Sequence, residues 1–280
     1  MFPITAPRAV RQAAFLARHF NSEIVLLHVV TPVSYPAGVL ERGHALTERD
    51  LHAGIILQAR DDLDQALQSE LDGISVRRLL LKGDPAREIA RTAREEKVDL
   101  IAMSTHSHAV FYRFLLGSVA AKVLHTCDCP VWTDTHPEDE RTQEFAIRRI
   151  LCAIDLSAHS RHTASRAAQI AAQFDAQLTL VHITAGVQTY GPGGSHVVPE
   201  WKEVLVGNAA EEIAKLQRDA HTDAQVIIDS GNVHKLLHRA AEQAKSDLLV
   251  IGHLPGGGHL GANGSGYAII RDSRIPVLSV

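Results

Sequence analysis

Residues 11–30, RQAAFLARHFNSEIVLLHVV, lie over residues 165–184, SRAAQIAAQFDAQLTLVHIT, without a gap. Ala13, Ala14, Ala17, Phe20, Leu26 and His28 recur as Ala167, Ala168, Ala171, Phe174, Leu180 and His182. In each stretch an alanine-rich segment of helical periodicity gives way to a short apolar run of strand formers. The correspondence continues further along the chain. KGDPAREIARTAREEKVDLIAMS (82–104) matches SGNVHKLLHRAAEQAKSDLLVIG (230–252), and CPVW (129–132) matches IPVL (275–278). A period of roughly 150 residues is too long for a solenoid unit. The chain is a duplicated domain.

The second copy reads as a strand at RRILCAID (148–155) and a helix from the Ser/His-rich start near 157 to Phe174. A strand at AQLTLVHIT and a Gly/Pro loop, AGVQTYGPGGSHVVP, follow. Then come a helix near 200–220, a strand at AQVIID, a helix at GNVHKLLHRAAEQAK and a strand at DLLVIG. The loop GHLPGGGHLGANG leads to a short helix and a last strand, PVLSV. Strands alternating with helices imply right-handed crossovers and a parallel sheet covered on both faces. The expected class is α/β, with two tandem doubly wound, Rossmann-like domains. Residues 1–133 form the first, 134–147 (DTHPEDERTQEFAI) a polar, acidic linker, and 148–280 the second. The first copy supplies only MFPIT (1–5) as its opening strand, aligned with LCAID, which puts Thr5 where Asp155 stands. The turn after it is four residues shorter. These residues are expected to form a shortened central strand.

The 280 residues carry a net charge of −4, and 45% of them are hydrophobic. That balance argues against a nucleic-acid-coating protein. The longest apolar runs are too short to cross a bilayer, and the N-terminus has no basic region followed by a long apolar one. Three cysteines make no disulfide framework. A cytoplasmic location is expected, with no nucleic-acid or membrane partner.

In open α/β sheets, ligands bind beyond the carboxyl ends of the strands. There the second copy offers Asp155 and Ser157, Gly252 and His253, and Gly264 and Ser265 at the start of its last helix. The first copy offers Ser104 and Ser107, then Gly117 and Ser118. A helix N-terminus has free N–H groups and a positive dipole end, so phosphate can dock there, and glycine allows close approach. The same Gly-Ser pair is also a plain helix start. His28 and His182 lie inside strands and suit a packing role. His125, Cys127 and Cys129 lack a second ligand cluster and read as structural, so no metal centre is expected. GGGHLG (256–261) is read as a flexible loop, because no acidic residue follows at dinucleotide-site spacing. No phosphate-loop or nucleophile-elbow motif is present, and no catalytic residue stands out.

Ile154-Asp155-Leu156-Ser157, the strands at 26–29 and 180–183, Gly83-Asp84-Pro85 and above all LLGSVAAKVL…CPV give the chain a resemblance. It resembles a tandem universal stress protein, with two copies of that family's domain covering nearly all of it. Nucleotide-binding members of the family carry Gly-x-x-Gly, nine residues, then Gly-Ser or Gly-Thr. In them the Asp after the first strand meets adenine, and the glycines and serine cradle ribose and phosphates. The resemblance therefore implies a stress-response protein binding ATP or AMP, most strongly in the second copy, through Asp155, Ser157, Ile183, Gly252, His253, Gly264 and Ser265. In the first copy both early glycines of the motif are serines, Ser104 and Ser107. In the second, Pro255 replaces one glycine and the loop is a residue short. A scaffold of the same fold without nucleotide and a slow ATPase stand as alternatives. Each copy also ends in a short edge strand, CPVW or PVLSV. Family members pair through this strand, so the two copies are expected to form an intrachain pseudo-dimer, and a homodimer is compatible with it.

Overall fold

The alanine-rich segment is a helix in both copies, and the apolar run after it is a strand. The computed structural model describes residues 7–32, 48–105, 116–134, 145–184, 188–191, 194–197, 199–252 and 265–280. In the first half α1 (Pro7–Phe20) leads into β1 (Ile24–Val30), followed by α2 (Glu48–Gln65) and β2 (Val76–Lys82). Then come α3 (Pro85–Glu95), β3 (Ile101–Ser104), α4 (Ser118–Thr126) and β4 (Val131–Asp134). The second half runs β5 (Arg149–Ile154), α5 (Ser160–Phe174), β6 (Gln177–Thr184), β7 (Gln188–Gly191), β8 (Gly194–Val197) and α6 (Pro199–Ala220). It ends with β9 (Gln225–Ser230), α7 (Val233–Gln243), β10 (Leu248–Ile251), α8 (Ser265–Asp272) and β11 (Val277–Ser279). The stretch read as a plain Gly/Pro loop contains an antiparallel hairpin, β7 with β8. No described helix is long and apolar enough to cross a membrane.

The duplication extends to the backbone. Asn21 and Asp175 both end a helix with φ near +50°, at 50° and 49°, as do Lys97 and Lys245 at 52° and 48°. Gly83 and Gly231 hold φ of 154° and 147° at the turn into the next helix, a conformation that favours glycine. Just after each, Asp84 accepts from Arg87 N at 3.0 Å and Asn232 from Lys235 N at 3.1 Å. Each satisfies one of the free amides at a helix start. Asn232→Ala should cost about 1 kcal/mol of unfolding free energy, read from a urea midpoint, with Asn232→Asp near wild type.

The second half holds a complete parallel sheet in the order β9-β6-β5-β10-β11, with β5 at its centre. β11 then pairs antiparallel with β4, matching Val277 with Thr133, Leu278 with Trp132 and Ser279 with Val131. β3 lies parallel to β4, so one seven-stranded sheet runs through both halves. The expected pairing through the last strands is what the structure shows. In the first half, β1 and β2 form a separate parallel pair. The expected opening strand, residues 1–5, lies outside the described residues.

Two layers of core flank the sheet. On one face Trp132, Ile150, Cys152, Leu180 and Leu248 pack with Leu16 of α1 and Ala164 and Ala167 of α5. Phe15 stacks on Phe174 at 5.6 Å and meets Phe145 edge-on at 5.1 Å, which ties α1 to α5. Phe145 and Ile147 belong to the stretch expected as linker, yet both pack into this core. On the other face Val123, Val131, Leu151, Leu237, Leu249 and Val277 form the second layer. Tyr267 of α8 reaches across it to donate to Ala121 O of α4 at 3.3 Å.

Candidate functional site

Asp155, Ser157, Ile183 and Gly252 of the expected site lie at the carboxyl end of the second half's sheet. His182 of β6, itself buried, lies opposite Ile154, and its Nδ1–H donates to Ile154 O at 2.9 Å. That bond fixes the end of β5 one residue before Asp155 and makes His182 a satisfied core histidine. Leu156 then takes φ of 60°, turning the chain sharply toward α5. The turn closes on the Asp155 carboxylate, whose Oδ1 accepts from Ser157 N and from Ser160 Oγ, each at 2.9 Å. Burial pushes the Asp155 carboxyl up, but the hydrogen bonds from Ser157 and Ser160 outweigh it and hold the group below the usual carboxylate range. Both bonds fall on Oδ1 and the residue is exposed, so Oδ2 can accept from an incoming donor.

Gly252 follows β10, the neighbour of β5, and Ile183 sits near the end of β6, the neighbour on the other side. A β-carbon on Gly252 would stand 3.0 Å from Thr163 Oγ1, whose hydroxyl is held by His159 O at 3.2 Å. Glycine here lets the β10 end lie against α5. Gly252→Ala should lower stability by about 1–3 kcal/mol. The double variant with Thr163→Ala should recover part of that loss, read as a coupling energy in a thermal double-mutant cycle. Ser265 begins α8. His253 and Gly264 lie outside the described residues.

The first half is built differently. Ser104 ends β3, opposite Asp134. Gly117 caps α4 with no side-chain bond, and its own N–H is spent on Thr105 O at 2.8 Å. Ser118 is the first helical residue and is exposed. Ser107 and Thr5 lie outside the described residues. A feature not foreseen in the sequence stands beside Ser104: the buried Asp134 carboxylate. It accepts from Arg8 Nε and Gln12 Nε2, each at 3.2 Å, while Trp132 Nε1–H donates to Gln12 Oε1 at 2.8 Å. The first turns of α1 are thereby fastened to β4. The only signal for this in the sequence is Gln12 within an apolar helix face, and its partners lie about 120 residues away.

The cysteines are packing residues. Burial pushes the Cys127 thiol up to about 11 and the Cys152 thiol up to about 12. Among the described residues, no three His, Cys, Asp or Glu side chains come together as a metal site.

This fold, whose two halves join through their last strands, has known relatives. The model of the Universal stress protein family matches the chain twice, over residues 2–133 and 146–280, and the chain belongs to that family. A universal stress protein of Methanothermobacter thermautotrophicus is 35% identical over 115 residues, covering 40% of this chain and 75% of that protein. Universal stress protein MJ0531 of Methanocaldococcus jannaschii is 29% identical over 137 residues, covering 47% and 76%. The crystal structure of a universal stress protein from Archaeoglobus fulgidus superposes with a TM-score of 0.72 at 19% identity, covering 99% of this chain and 94% of that one. That likeness is one of fold.

Proposed function

We propose that this chain binds an adenine nucleotide, ATP or AMP, beyond the carboxyl ends of β5, β6 and β10, and acts through conformation or assembly. The observation that carries the reading is the Asp155 carboxylate. It is ionised, oriented by Ser157 and Ser160, and placed where a complete parallel sheet ends beside Gly252. A carboxylate oxygen there can accept from the exocyclic amino group of adenine. The start of α8 offers amides to phosphate. These residue types fit the ligand. In the first half, Gly117 N–H is engaged by Thr105 O and the adenine-reading carboxylate has no counterpart among the described residues. Titration calorimetry with ATP and with AMP tests this. One nucleotide should bind per chain, and Ser118→Ala should leave the affinity within about twofold.

The scaffold reading has its own support in the sheet that runs unbroken through both halves. Absence of heat with either nucleotide up to millimolar concentration would move the assignment to it.

A further inference from the structure

A cavity of about 150 Å³ lies between α7 and α8, toward the amino ends of β10 and β11. Gly252 and the candidate nucleotide site stand at the other end of β10. Leu237 of α7, Leu249 of β10, Ile269 of α8 and Ile275 give the cavity apolar walls. Two polar residues interrupt that lining, His234 and the 7% exposed Ser246. His234 Nδ1 and Ser246 Oγ are buried and have no hydrogen-bond partner among the described residues. A buried polar atom left without a partner costs stability, and native folds contain few of them.

The duplication shows that the fold does not require these groups. The first half holds Ala86, Ala90 and Val98 where the second holds His234, His238 and Ser246. Ala86 is buried there, and Ala90 packs against the same apolar layer. His234 and His238 stand one turn apart on one face of α7, so the polar replacements gather at the cavity. The carboxylates at its mouth already have partners. Glu242 lies 3.1 Å from His238 Nε2 and 3.4 Å from Arg274 Nη1, and Asp272 lies 2.7 Å from Arg271 Nε. What remains unanswered is one hydroxyl and one ring nitrogen.

We propose that this cavity binds a small neutral aromatic alcohol, with its ring between the apolar walls and its hydroxyl toward Ser246 and His234. A cavity of this size holds one six-membered ring. A hydroxyl both donates and accepts, so it can answer either atom in either tautomer of the histidine. An ionised ligand would lose its water shell against these walls.

The test uses the full chain and 4-fluorophenol, followed by fluorine NMR. Saturable binding of one molecule per chain is expected. Excess AMP should not displace it, because the candidate nucleotide site lies at the other end of β10. Fluorobenzene and 4-fluorobenzoate should each bind at least tenfold more weakly. Ser246→Val installs the first half's residue. It should weaken 4-fluorophenol at least tenfold without lowering the melting temperature, since the hydroxyl it removes has no partner. Ala241→Leu, which narrows the cavity from α7, should abolish binding. No saturation up to millimolar 4-fluorophenol would overturn the proposal and leave the two polar atoms to a buried water. Displacement by AMP, equal affinity for fluorobenzene, or binding that survives both substitutions would overturn it as well.

Discussion

Trp132→Ala should lower the unfolding free energy by about 3–5 kcal/mol, the largest loss expected from a single substitution in this chain. Trp132 is 1% exposed and lies on β4 opposite Leu278 of β11, at the seam where the two halves share one sheet. Its ring packs edge-on against Phe145 at 6.0 Å, and it belongs to the core layer that Leu16 of α1 shares with β5, β6 and β10. Removing it leaves a cavity between the halves. It also strips the donor from Gln12 Oε1, which is buried with its residue 1% exposed, so an unpaired polar atom adds to the cavity cost. Trp132→Phe keeps most of the volume and loses the N–H, so its cost should fall near the lower end of that range. Urea unfolding followed by far-ultraviolet circular dichroism gives both values. An alanine variant within about 1 kcal/mol of wild type would show that the seam contributes little to stability.

Trp132 also shows what could be read in advance. Its place in a short last strand follows from the match of CPVW to IPVL, and pairing of the two last strands was expected from their exposed edges and from the family resemblance. The elements of the second half were legible because each is long enough to show its period, and the duplication supplied a second reading of most of them. The β7–β8 hairpin escaped because its strands, QTYG and GSHV, have little apolar alternation and flank Pro192-Gly193, a strong turn signal. The Arg8–Asp134–Gln12–Trp132 network escaped for another reason. Its partners sit in the first helix and the last strand of one half, and only tertiary packing brings them together. At the candidate site, Asp155, Ser157 and Gly252 could be placed by pattern. The reason for Gly252 lies instead in Thr163, a contact across two elements that no spacing along the chain reveals.

Asp155→Asn should weaken adenine-nucleotide binding about ten- to a hundredfold while leaving the fold near wild type. The carboxylate has two tasks. Its Oδ1 closes the turn by accepting from Ser157 N and Ser160 Oγ, and in the proposed complex Oδ2 accepts from the adenine amino group. An asparagine carbonyl can still hold the turn, but its amide nitrogen then meets the adenine amino group donor to donor. Loss of one hydrogen bond to a charged acceptor is worth about 1.5–3 kcal/mol, which sets the size of the effect. Asp155→Ala removes both tasks, so it should lose affinity by at least as much and lower the melting temperature as well. The acid response separates the tasks again. Because the folded carboxyl lies below its usual range, its contribution to stability is fully present above the unfolded value, near 3.9, and is lost as pH falls through the folded value. Wild type should therefore lose stability relative to Asp155→Asn only below about pH 4, and the affinity gap between them should stay constant from pH 7 to pH 5. Calorimetry across that range on wild type and both variants is the measurement. Equal affinity in wild type and Asp155→Asn would leave this carboxylate a turn-closing residue and remove it from the proposed site.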